Sequence, residues 1–304
     1  SYANALEWLK LLDVAQVSDG IRRQLPAWQI VAAIERSEWS IARELLRALP
    51  PEAPVAWYRL AAVGALRDGR DLRDAQAVSR DAIAALAARR ELGQIADLAR
   101  QFGDDAIGTR GFAAKYVSGV LAYEDARTKR EAGKADAAMR SFEDAAKRLE
   151  EALVEPDVAE FAAAATACKS MAGWSRFERG EFAAARELFS QVAEASEGRE
   201  EEAEWMALVC VEKLLAGATG DRAALEQELR SRVDRFIGRH PASERMPQVL
   251  LRRTTLTDLP RRVLHRLQQH HAQHDHERHE RAEDHQHDHH RGQPVVARLQ
   301  VGQW

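Results

Sequence analysis

The 304-residue chain reads as all-α: a right-handed α-solenoid of helix-turn-helix repeats, followed by a His-rich flexible C-terminal tail. Three observations predict this. The 45% hydrophobic content leans on Ala, while Gly (17) and Pro (9) are scarce, as in mostly helical chains. No Val/Ile/Thr run alternates between turn residues long enough to read as a strand. The segment GWSRFERGEFAAARELFSQV carries Gly173, Gly180, Phe182, Ala185, Phe189 and Val192 at the spacings of a helix-turn-helix unit, and the pattern returns elsewhere. Self-similarity on a period of a few tens of residues marks an array in which each unit buries its apolar face against the next.

The elements follow in order. A first helix is expected at about Ala5 to Ala15, with Leu6, Leu9, Leu12 and Trp8 on its inner face. Pro26 starts a second, AWQIVAAIERS, and Ser37-Glu38-Trp39 makes a short turn. The third carries Trp39, Ala42, Leu46 and Leu49, and Pro50, Pro51 and Pro54 close it, because Pro cannot continue a helix. In the next pair Trp57, Leu60 and Ala61 lie on the first helix and Arg67 to Asp71 make the turn. Leu72, Ala75, Ser79 and Ala82 line the second helix. From Leu86 to about Gly111 the pattern loosens around one helix ending at Gly103. Further pairs cover about Gly119 to Leu153, turning at Gly133, and about Phe161 to Glu197, turning at Gly180. Two later helices are read at Glu200 to Leu215 and Arg222 to Gly238, and FIGRHPASERMPQVLLRR has the shape of a turn between helices.

At Gly173 through Val192, and at Trp39–Leu49 with Trp57–Ala82, the chain resembles tetratricopeptide-repeat (TPR-like) proteins. The small residue of the motif falls on Gly173 or Ala61, its turn Gly on Gly180, and its opening aromatic on Phe182 or Trp39. Trp39 to Leu72 spans 33 residues, near the period of about 34 of these repeats. Ala135 follows Leu72 by 63 residues and Phe182 follows Ala135 by 47, so the helices are longer than standard or an extra one intervenes. The excess of Arg over Lys fits a GC-rich bacterial genome. The resemblance implies a helical repeat domain over 1–258 and a concave surface lined by the first helix of each pair. On that alignment Tyr58, Tyr123, Arg127, Arg130, Trp174 and Phe177 are the candidate partner-binding residues. Family members that grip a C-terminal carboxylate use a basic and Asn clamp there. Arg127 and Arg130 supply the charge and the Asn is missing. The competing reading makes the aromatics core between repeats and the arginines a solvated face.

Residues 259–304 form a low-complexity tail holding nearly all of the 11 His. Its run HHAQHDHERHERAEDHQHDHH is too polar to form a packed core. His270, His271, His274, His276, His279, His285, His287, His289 and His290 are candidate ligands for Zn, Ni or Cu, since neutral imidazole suits these ions. Near pH 6 the same tract gains positive charge. A switch to Arg/His/Gln-rich text after Thr257 is also what a shifted reading frame produces in GC-rich DNA.

No HExxH, Gly-rich phosphate loop, GxSxG elbow or CxxC pair occurs, so an enzyme is not expected. A net charge of -4 and short basic segments without interleaved aromatics argue against a nucleic-acid partner. No apolar run is long enough to span a membrane. The expected function is a non-catalytic scaffold binding another protein or peptide, or mediating homo-oligomer assembly. Alternatives are metal handling by the tail and the helical regulatory region of a larger protein, the latter motivated by the start at Ser1. A cytoplasmic location is favoured, with the periplasm or secretion open if a signal peptide was removed.

Overall fold

The computed structural model describes residues 18–257, apart from 70, 196–199, 219 and 221. The first expected helix and the whole His-rich tail lie outside the described residues. Among the described residues all regular structure is helical. The helices are α1 (Asp19–Glu35), α2 (Trp39–Arg47), α3 (Val55–Asp68), α4 (Arg73–Ala88), α5 (Leu92–Phe102) and α6 (Phe112–Glu131). There follow α7 (Ala135–Leu153), α8 (Ala162–Glu178), α9 (Phe182–Ala195), α10 (Glu200–Ala216), α11 (Arg222–Arg239) and α12 (Met246–Thr257). Short 3-10 turns at Asp104–Ile107 and Val158–Phe161 precede α6 and α8. No described helix is long and apolar enough to cross a membrane.

The chain divides into two compact units, Ser1–Leu225 and Glu226–Trp304, and the division falls inside α11. In the second unit Leu229, Val233 and Phe236 of α11 and Val249 of α12 are buried. Arg253 pairs with Asp234 at 3.2 Å. His240 follows the end of α11, its backbone N–H donating to the Phe236 carbonyl at 2.9 Å and its ring 4.9 Å from that of Phe236.

In the first unit each helix packs on its successor, and α1 on α3, α2 on α4, α3 on α5 and α6 on α8 also touch. One turn recurs four times. At Ser37, Arg90, Gly133 and Gly180 the backbone is left-handed, with φ of 57°, 61°, 70° and 75°. In each, that residue donates its N–H to the carbonyl three back, and the next residue donates to the carbonyl five back. These paired bonds satisfy carbonyls that the end of a helix leaves open. The next helix begins two residues after the left-handed position, at Trp39, Leu92, Ala135 and Phe182.

Aligning the four turns exposes a shared packing register. Seven residues before the left-handed position lie Ile30, Ile83, Ala126 and Gly173. Five after it lie Ala42, Ile95, Ala138 and Ala185, and nine after it Leu46, Ala99, Phe142 and Phe189. All twelve are buried. In three of the four pairs sizes compensate: Gly173 faces Phe189, Ala126 sits with Phe142 and Ile83 accompanies the small Ala99, while the first pair joins the larger Ile30 and Leu46. A dense interior accepts such trades when total volume is kept.

Three sequence expectations are corrected here. Pro26 lies inside α1, which starts at Asp19. It leaves one carbonyl of the preceding turn without its usual donor, and the helix continues through it. Leu72 is not the counterpart of Trp39: it precedes α4 as a flanking residue and is 48% exposed, while Ala75, Ser79 and Ala82 are buried as expected. The matching position is Leu92, which opens α5 as Trp39 opens α2, and α3 is the extra helix that intervenes. Leu49 lies beyond the end of α2.

A left-handed backbone places an L side chain too close to the following carbonyl, at a cost of about 1–2 kcal/mol. Arg90 is exposed at such a position, and its side chain has no polar partner among the described residues. Arg90→Gly is therefore expected to raise stability by about 0.5–1 kcal/mol in urea unfolding. Unchanged or lower stability would mean the turn is not left-handed there.

Candidate functional site

Two clefts stand out among the described residues of the first unit. One, of about 450 Å³ between α6 and α7, is polar and largely satisfied by its own charges. Arg148 reaches Asp104 at 2.5 Å and Asp144 at 2.9 Å, and Lys129 reaches Asp125 at 2.5 Å. Ser141 donates to the same Asp125 oxygen at 2.7 Å.

The other, of about 720 Å³, has an apolar floor and lies between α4, the start of α6 and the two 3-10 turns. One wall is a single stripe of α4, Arg80, Ile83, Ala84, Ala87 and Ala88, at the three- and four-residue spacing that shares a helix face. Ile107, Ala113, Ala114 and Phe161 complete the floor. Phe161 and Phe112 stack with centroids 5.1 Å apart, and Phe112 stacks on Tyr116 at 5.4 Å.

The rim is a built loop. Gly108 and Gly111 both have positive φ, and Thr109 and Arg110 stand exposed between them. The end of this loop is anchored from below: Gly111 N–H donates to Glu155 at 3.1 Å and Phe112 N–H to Asp157 at 2.9 Å. These carboxylates occupy the donors of the α6 N-terminus, which favours negative charge. Lys115 pairs with Glu155 at 2.5 Å, and its hydrogen bond holds that carboxyl below its ordinary range. Arg80 and Arg110, by contrast, make no hydrogen bond or ion pair among the described residues.

The residues expected on a partner surface divide. Tyr58 is buried, only 4% exposed: Arg89 lies 4.2 Å over its ring, donates to its hydroxyl at 3.0 Å, and ties the Pro51 carbonyl at 2.6 Å. It is packing between α3 and α4, away from the others. Tyr123, Arg127 and Arg130 share the C-terminal half of α6. Tyr123 is half-buried, edge-on to Phe142 at 6.0 Å, and burial raises its phenol above the ordinary range. Arg127 is exposed and faces Glu131 at 3.5 Å, and Arg130 pairs with Glu178 of α8. Trp174 and Phe177 are half-buried and edge-on to each other at 5.8 Å. Trp174 leans on Phe189 at 5.6 Å and Phe177 on Phe182 at 5.4 Å.

The nine histidines named as candidate metal ligands lie outside the described residues. No group of three or more His, Cys, Asp or Glu that could hold a metal ion occurs among the described residues. Cys168 and Cys210 are buried free thiols. Burial pushes the Cys168 thiol up to about 12, and it sits 3.2 Å from the Leu149 carbonyl.

Sequence reasoning missed the apolar groove. Its rim lies in the stretch where the repeat pattern loosens, and the one local signal was Gly103, Gly108 and Gly111 within nine residues of GDDAIGTRG. No protein-family model matches the chain, and no curated protein matches it.

Proposed function

We propose that the first unit is a TPR-like α-solenoid that acts as a non-catalytic scaffold, holding a segment of another protein. The observation that carries this reading is the apolar groove between α4 and α6. In the register set by the four turns, α4 and α6 are each the first helix of a pair, the helices that line the inner surface of such arrays. The extensive contacts of the first unit run between next and next-but-one helices, which supports the same reading, since repeat arrays bury each hairpin mainly on its neighbours. An apolar floor with a few rim charges suits capture of side chains from a partner segment.

A photo-cross-linking residue placed at the exposed Ala84 of the full chain tests it. Expected is a covalent adduct to a second polypeptide whose cross-linked segment, made as a peptide, binds with about micromolar affinity. The same cross-linker at exposed Met139 serves as control. Equal adducts from both positions, or none from Ala84, would reject the reading.

A further inference from the structure

We infer that residues 5–15, which precede α1, dock as an apolar cap on the exposed side of α1 and α3. Ile21, Trp28 and Leu60 are 39%, 41% and 44% exposed. Ile21, Trp28 and Glu35 follow one another at seven-residue steps on α1, and Leu60 lies seven before Arg67 on α3, so each set shares a helix face. Glu35 and Arg67 join the ends of these helices at 3.1 Å. Beside them Ile34 lies against Gly64, where an added Cβ would come within 2.7 Å of it. Trp39, just past α1, sits beside Gly69, just past α3, so the two helices end together and run in the same direction. Two turns back along both, Trp28 and Leu60 stand on the same side, an apolar strip where a solvated helix carries polar residues.

The sequence leading into α1 supplies the matching face. Leu6, Leu9 and Leu12, with Trp8, are spaced for one side of a helix, and Glu7, Lys10 and Asp13 recur at every third position between them. Gln16, Val17 and Ser18 separate this stretch from α1, and a loop of about two to five residues suffices to reverse direction between antiparallel helices. Nine residues lead back from Ala15 to Leu6, and nine lead on from Asp19 to Trp28, each about 14 Å of helix. A reversed segment thus sets Leu12 near Ile21 and Leu6 near Trp28. Burying them against each other removes apolar surface from water on both sides. The short tether makes the encounter intramolecular, so this segment outcompetes a free partner with equal contacts. The groove between α4 and α6 is lined by other elements.

The test is alkylation of the full chain by iodoacetamide, followed by mass spectrometry. Gln24→Cys places a thiol between Ile21 and Trp28 at an exposed position and leaves both side chains in place. Met139→Cys, at a side chain 41% exposed on α7, is the control, and the native Cys168 and Cys210 are buried. Gln24→Cys is expected to react about tenfold more slowly than Met139→Cys, because the docked segment must open first. Adding Leu9→Asp and Leu12→Asp, which put charge into an apolar contact, is expected to raise Gln24→Cys to the control rate. The inference falls if Gln24→Cys alone reacts as fast as Met139→Cys, or if it stays slow with both aspartates present. Protection that fades on dilution would also overturn it, since a second copy would then be the cover.

Discussion

Phe189→Ala is expected to destabilise the protein by about 3–5 kcal/mol. Phe189 is 1% exposed on α9, packed with Ala185, Met206, Ala207 and Cys210 and edge-on to Trp174. Its ring fills the space that Gly173 leaves on α8: a Cβ added at Gly173 would stand 3.1–3.3 Å from three ring atoms. Truncation leaves a void that a helix backbone on one side and an Ala on the other cannot close, so both transfer and cavity costs apply. Urea unfolding followed by tryptophan fluorescence reads the loss, with Trp174 and Trp205 beside the site. A loss below about 1 kcal/mol would show that the helices collapse into the space and that Gly173 is not matched to Phe189.

Gly69→Ala adds a single carbon and is expected to cost at least the upper part of the about 1–3 kcal/mol typical of overpacking. Its Cβ would lie 2.1 Å from Cβ of Ala75 and 2.9 Å from Cζ2 of Trp39. Neither neighbour can step aside. The Ala75 Cβ is fixed to the backbone of α4, and Trp39 is buried. The turn between α3 and α4 must therefore open. Ala75→Gly removes the closest of these contacts and by itself costs about 1 kcal/mol of helix propensity. In the double variant most of the Gly69→Ala loss should return. Simple additivity of the two single losses would overturn the packing account.

Much of the helical architecture was legible because it depends on local rules. Trp39, Ala42 and Leu46 at helical spacing, the proline stop after Leu49, and the Gly133 and Gly180 turns each follow from propensity and backbone sterics. The repeat register was legible only where the turn residue is Gly. Ser37 and Arg90 adopt the same left-handed turn without being glycine, so the sequence hides half of the series. The 33-residue spacing of Trp39 and Leu72 then offered a false partner. The structural equivalents, Trp39, Leu92, Ala135 and Phe182, stand 53, 43 and 47 residues apart. Packing selects them through paired sizes across two helices, and a pairing of sizes is not a motif at any single position.

The expected partner surface was legible as a set of side chains and not as a surface. Arg130 and Glu178 are 48 residues apart, and nothing local announces that they neutralise each other across α6 and α8. Tyr58 is taken up by Arg89 in the same way. The apolar groove arises where a stripe of α4 meets a loop more than twenty residues later, and neither segment carries a binding motif.

By itself, then, the amino-acid order determined that the described chain is helical and where most of its helices end, since hydrogen bonding, helix propensity and proline sterics act within a few residues. Which helices form equivalent pairs, which charges cancel, and where Arg80 and Arg110 stand without partners beside an apolar floor were decided only by tertiary packing. Burial and ion pairing depend on neighbours brought close in space, and those neighbours come from distant parts of the chain.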